Sequence, residues 1–179
     1  MNRPIALEIF SGSGHFSKSW RMSSLLNDVP IFELDIKHGC AFDLSKKHLR
    51  ALVAGWIKSG LICAVWLGTP CSSWTMARRG KPGGVGGPPP LRSREHFMGL
   101  PGLSDKDNDR VALGNCLMQF SSYMLRLCHA GGIFAVMENP IRQDCGKPLR
   151  FARLLLLLMS LLFILIFVCL ECLGGSVQG

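Results

Sequence analysis

Pro70-Cys71 ends the apolar run Leu61 to Leu67 and opens onto Ser72, Ser73 and a basic, glycine-rich stretch. A cysteine at the mouth of a buried strand, with cations close behind it, is suited to meet an anionic polymer as a thiolate nucleophile. Most cysteines in apolar surroundings are inert, but three features separate Cys71 from those. It follows the strand instead of lying inside it, Pro70 fixes the preceding backbone, and arginines follow within a few residues. A nucleophile of this kind needs a cofactor site and an acid, and the chain supplies a candidate for each on either side.

Upstream, Glu8 to Gly14 reads Glu-Ile-Phe-Ser-Gly-Ser-Gly. Glycines after a first strand let the backbone approach a ligand, and the helix start beyond favours negative charge. The pattern is only GxG, but Glu33 ends the second strand, where a carboxylate can bind ribose hydroxyls. Together they point to a nucleoside-bearing cofactor. Downstream, Met137-Glu138-Asn139-Pro140 ends another strand. A carboxyl group there, kept protonated by partial burial, can donate to a ring nitrogen.

These residues must be held by regular elements. Apolar runs predict strands at 4–10, Pro30–Asp35, 61–67 and Ile133–Met137. Helical spacing predicts helices at 15–26, at 46–58 with Ser45 as N-cap, and at 105–130, stopped by Gly131-Gly132. Strands alternating with helices imply an α/β fold, a Rossmann-like, mostly parallel sheet covered on both faces. Ligands bind such sheets beyond the C-terminal strand ends, where Gly12, Gly14, Glu33, Asp35, Cys71 and Glu138 all fall. A long Gly/Pro connection, 78–104, follows the third strand and carries Arg78, Arg79, Lys81, Arg92 and Arg94. Loops of this length are commonly functional, and these cations are the expected nucleic-acid contacts.

The whole chain has 179 residues and a formal net charge of +8, enough for one domain with a core and an anionic partner. Its eight cysteines are scattered, and with no secretory signal ahead of the first strand they suit a reducing, intracellular compartment. Cys169 and Cys172 form a lone CxxC with no second ligand pair, so no metal site is expected. All Lys and Arg lie at or before Arg153, after which Leu154 to Leu170 is almost wholly apolar. At ~1.5 Å per residue this run extends about 26 Å, and a few flanking residues bring it to the ~30 Å of a bilayer core. The expected organisation is a core at 1–150, a hydrophobic, transmembrane-type helix at 151–173 and a short tail at 174–179. The cations before the run would keep the core on the cytosolic side.

Taken in order, Phe10-x-Gly12-x-Gly14, Glu33-Leu-Asp35, Asp43, Pro70-Cys71 and Glu138-Asn139 resemble the motifs of S-adenosylmethionine-dependent DNA (cytosine-5) methyltransferases. The resemblance covers roughly residues 5–140. It implies a class I methyltransferase core with S-adenosylmethionine as cofactor. Phe10 would pack on the adenine, Gly12 and Gly14 would line the methionine part, Glu33 would hold the ribose, and Asp43 would accept from the adenine amino group. Asp35 and Pro70 belong to the same cofactor-lining set. Cys71 would attack C6 of an extruded cytosine, Glu138 would bond N3, and Asn139 would support the loop.

The chain also departs from the family pattern. Ser72 stands where glutamine is common, and Pro140 replaces a small aliphatic residue. The later arginine motif, the target-recognition region and the closing helix have no counterpart. A divergent, truncated core of the mobile-element-associated type is therefore expected. It would act as a monomer on DNA rather than RNA, nuclear if active and membrane-associated if the tail inserts. Two alternatives stay open: a degenerate domain that binds cofactor or nucleic acid without turnover, and a tail-anchored protein using the fold as scaffold.

Overall fold

A computed structural model describes residues 4–74 and 87–138. Asn139, Arg78, Arg79, Lys81 and the apolar run at 151–173 lie outside the described residues. Among the described residues no helix is long and apolar enough to cross a membrane.

Four strands form one parallel sheet: β1 (Ile5–Ile9), β2 (Ile31–Leu34), β3 (Ile62–Leu67) and β4 (Phe134–Met137), in the order β2-β1-β3-β4. Three helices connect them: α1 (His15–Met22), α2 (Lys47–Lys58) and α3 (Asp105–Ala130). Alternation along the strands divides the core in two. Leu7, Ile9, Val65 and Leu67 face Val53 and Ile57 of α2 and Leu117, Phe120 and Met124 of α3. Ala6, Ala64 and Trp66 face Phe16 and Trp20 of α1. Each fully buried Leu, Ile or Val side chain contributes about 1.5–3 kcal/mol, so the two layers drive folding. The α/β arrangement with helices on both faces is as the sequence predicts.

One irregularity breaks the alternation. Ile5 pairs with Ile62 but Ala6 pairs with Ala64, so the register shifts at the start of β3. Cys63 is the extra residue of this bulge, and Ile62 and Val65 consequently face the same layer.

Several element ends differ from expectation. The first helix stops at Met22 instead of residue 26, because Ser23 turns extended and its hydroxyl accepts from the Leu25 amide. Serine competing for backbone groups in this way ends helices. Ser45 is not the N-cap of α2. Lys46 holds that position without a side-chain cap, while Asp43 Oδ1 accepts from the Ser45 amide at 2.9 Å. The shorter side chain two residues upstream forms an Asx turn and sets the helix start. Only α3 has a side-chain cap among the three helices, with Ser104 accepting from the Asp107 amide and two aspartates in its first turn.

The long connection is not uniformly open either. From Leu91 it packs: Leu91 is buried, and its carbonyl accepts from the Leu100 amide at 2.9 Å.

Candidate active site

Strand order dictates where a ligand can sit. From β1 the chain moves out to β2 through α1 on one face, then crosses back by α2 on the other face to enter β3 beside β1. The loops leaving β1 and β3 diverge, and the crevice between them is the switch point where α/β sheets bind ligands. Residues 10–14 form one wall and residues 68–71 the other.

The sheet ladder continues past the formal strand ends. Phe10 N donates to Leu34 O, Gly68 N to Ile9 O and Glu138 N to Leu67 O, at 2.7, 2.9 and 2.9 Å. These bonds fix the first residue beyond each strand. Gly68 passes so close to β1 that a Cβ there would lie 2.6 Å from the Phe10 carbonyl oxygen. Phe10 itself has φ 60, a left-handed conformation that non-glycine residues rarely adopt, and its ring meets Phe120 edge-on. The turn out of β1 is therefore held by contacts on both sides.

Asp35 closes the glycine loop. Its Oδ2 accepts from Gly12 N and its Oδ1 from Lys37 N, both at 2.9 Å. Gly14 starts α1 with φ 67, and a Cβ at this position would lie 2.8 Å from Glu33 Oε2. Glu33 thus faces the loop directly. Its Oε1 accepts from Arg21 at 2.9 Å, and Lys37 and His38 stand 3.9 and 3.5 Å from Oε2. Partial burial pushes the Glu33 carboxyl upward, but the Arg21 bond and the charges of Arg21 and Lys37 outweigh it, with His38 adding to them when protonated, and hold the carboxyl below its ordinary value. It stays ionised, with lone pairs left to accept from a diol.

Two observations test whether a nucleoside-bearing cofactor fits here. The Ser11 hydroxyl is buried and has no hydrogen-bond partner among the described residues. A buried polar group on a ligand-facing loop is expected to have one. At Gly12 a Cβ would meet nothing within 4 Å, so the loop borders open space. An orphaned hydroxyl, an ionised acid and a loop face free of side chains suit such a group, while the Gly12 and Gly14 amides are already spent on Asp35 Oδ2 and Ser11 O. Asp43 Oδ1 accepts from the Ser45 amide and Oδ2 lies 3.9 Å from Lys46, which leaves lone pairs on this carboxylate as well. These contacts lower its carboxyl.

Cys71 sits half-buried at the end of the opposite wall, its carbonyl accepting from Trp74 N at 2.8 Å. Thr69 just before it is buried and bonded to Ser121 of α3 at 2.8 Å. Burial pushes the Cys63 and Cys128 thiols up to about 11. They are structural thiols. Glu138 directly follows β4, the strand next to β3, and its Oε1 accepts from Trp66 Nε1 at 2.8 Å. Trp66 in turn stacks on Phe16 with centroids 4.3 Å apart. Sequence reasoning missed Trp66. The available signal was an indole N–H inside a strand, since a buried indole needs an acceptor.

Arg92 requires a correction. It was expected among the phosphate-facing cations, yet it is only 8% exposed and all its donors are used within the protein. Nε donates to Ser73 O, Nη1 to Phe97 O and Asn115 Oδ1, and Nη2 to Ser73 Oγ and Val111 O. Its guanidinium also lies 3.5 Å over the Trp74 ring. Arg92 is a clasp joining the turn after Cys71 to α3, whereas Arg94 is exposed.

A second acid also escaped the sequence reading as a buried group. Glu8 is 3% exposed inside β1 and accepts from the amide and hydroxyl of Ser17 on α1. Burial raises its carboxyl above the ordinary 4.5, against the lowering effect of the Ser17 bonds. The folded state then holds this proton to higher pH than the unfolded chain does. The associated stability is complete below the unfolded value and is lost as pH rises through the folded one. Glu8→Gln is therefore expected to match the wild type in urea unfolding near pH 4 and to exceed it progressively towards pH 7. A constant gap across that range would show that Glu8 does not titrate in this way.

No family model matches this chain, and no curated protein or solved structure matches it in the corresponding comparisons.

Proposed function

We propose that the chain is a methyltransferase core of the cytosine-5 type, acting on DNA through Cys71. The observation that carries the proposal is the meeting of two unlike groups at one switch point. A glycine loop with an ionised Glu33 lies on the β1–β2 side, and Cys71 and Glu138 follow the adjacent strands β3 and β4. The order and type of these residues match the resemblance drawn from the sequence.

S-adenosylmethionine bound at the loop would supply a methyl group activated on a sulfonium sulfur. Glu33 accepts from the ribose hydroxyls, the Ser11 hydroxyl gains a partner, and the Gly12 backbone lies open beside them. The Cys71 thiolate adds to C6 of a cytosine swung out of the stack, and the ring electrons move towards C5. Glu138, steered by the Trp66 N–H, bonds N3 and stabilises the charge that develops there. Attack of C5 on the methyl carbon would break its bond to sulfur and release S-adenosylhomocysteine, and loss of the C5 proton to a base then expels the Cys71 thiolate and restores the ring.

Replacing the C5 hydrogen by fluorine blocks that last step and traps the enzyme. Full-length protein with S-adenosylmethionine and a 5-fluorocytosine oligonucleotide is expected to give a complex that survives denaturing electrophoresis. Cys71→Ser is expected to abolish it. A wild-type protein that binds the cofactor yet forms no adduct would leave a binding domain and end the enzymatic reading.

A further inference from the structure

We infer that the groove between α2 and α3 binds a single-stranded nucleic-acid backbone, at a site separate from the strand ends. Small residues on α2, Ala51 and Gly55, leave the two helices apart and open a groove of about 530 Å³. Phe120 floors it and Tyr123 stands on its α3 wall, 38% exposed. Lys47, Arg50 and Lys58 line it, and no Asp or Glu does.

Among the described residues the ion pairs engage Arg21, Lys37, His38, Lys46 and Arg110, and none closes on a cation of the groove. Asp43 nevertheless lies near enough to Arg50 for that charge to lower its carboxyl. Arg50 Nη1 is spent on the carbonyls of Leu44 and Ser45, which orients the guanidinium without neutralising it. Three cations gathered along one cleft repel each other unless an anion joins them.

The dimensions select the anion. Lys47 and Lys58 stand at the two ends of α2, about 16 Å apart at ~1.5 Å of rise per residue. At ~3.4 Å per nucleotide of stacked strand that distance holds several phosphates, so a polymer fits better than a mononucleotide. A single strand can track the cations and stack a base on Tyr123, the pairing of charge and aromatic surface that such strands use. The site is remote from Cys71 in function: it would hold a flanking strand while chemistry proceeds at the sheet edge, or hold a strand if no chemistry occurs.

Fluorescence anisotropy with a labelled 12-mer oligothymidylate, from 50 to 200 mM salt and without cofactor, tests the assignment on the full-length chain. Neutralising two cations in Lys47→Gln/Lys58→Gln is expected to flatten the slope of log affinity against log salt by about 1.4, from ~0.7 per phosphate contact. Gly55→Leu keeps every charge and replaces glycine by a better helix former, yet fills the groove. It is expected to weaken binding at least tenfold. Lys18→Gln/Lys106→Gln removes equal charge elsewhere and is expected to leave the slope unchanged. The proposal is overturned by a wild-type chain that does not bind, or by groove variants that bind as the wild type does. It is equally overturned if the control pair flattens the slope as much, or if polyglutamate competes as well as oligothymidylate at equal charge, which would assign the groove to acidic polypeptides.

Discussion

Arg92→Met is expected to lower the free energy of unfolding by about 3 kcal/mol, from the loss of several hydrogen bonds to a charged group at ~1.5–3 kcal/mol each, partly recovered by water. The substitution keeps an apolar stem of similar length but strips the partners from Ser73 O and Oγ, Phe97 O, Asn115 Oδ1 and Val111 O. It also removes the cation over the Trp74 ring. Some of these acceptors regain water, and burial of the guanidinium no longer opposes folding, which is why the loss is smaller than the sum. Arg92→Lys is expected to recover less than half, since one ammonium cannot span five acceptors in a planar fork. Urea unfolding followed by tryptophan fluorescence measures both. A loss below about 1 kcal/mol for the Met variant would mean that the clasp is dispensable. Because Trp74 N donates to Cys71 O, the same variant is also expected to loosen the turn at Cys71 and, on the proposed mechanism, to slow adduct formation even where the protein stays folded.

Much of this architecture could be read from the residues. Apolar runs bounded by glycine, proline and serine located all four strands, and the 26-residue helix α3 follows from its repeat of apolar residues and its Gly131-Gly132 stop. These signals are strong because a parallel sheet buried on both faces demands continuous apolar strands. That the glycine loop, Glu33 and Cys71 lie at or just beyond the C-terminal ends of strands was equally legible, since it depends only on where each strand stops.

The misses share a different cause. Arg92, Trp66 and Glu8 are polar or amphipathic groups whose environment is set by contacts between elements, on the next helix for Glu8 and far along the chain for Trp66. The partners of Arg92 lie on Ser73, Phe97, Val111 and Asn115, and the partner of Trp66 is 72 residues away. A basic loop suggests solvated cations by composition, and composition carries no sign that one of them is folded inward. Local misreadings at Ser23 and Ser45 have a nearer origin. There several short polar side chains compete for the same few backbone amides, and the winner depends on geometry that spacing alone does not contain.

Gly68→Ala is expected to destabilise the protein by about 3 kcal/mol, the upper part of the range for forcing one extra carbon into a packed site. The new Cβ would lie 2.6 Å from the Phe10 carbonyl oxygen, a backbone atom held from behind by the bond from Phe10 N to Leu34 O. Neither side can yield by rotating a side chain. The strands β1 and β3 must part where Gly68 N donates to Ile9 O, and this is the floor of the switch-point crevice. Stability and ligand binding should therefore fall together. Gly55→Ala provides the opposite sign in the same fold: its Cβ would meet nothing within 4 Å, and removing a helix-interior glycine is expected to stabilise by about 0.5–1 kcal/mol. Chemical denaturation of the two variants, with cofactor binding by calorimetry on each, separates the effects. If Gly68→Ala unfolded at the wild-type midpoint with cofactor affinity intact, β1 and β3 would not be as close as their ladder requires, and the crevice between Phe10 and Cys71 would lose its claim to be the site.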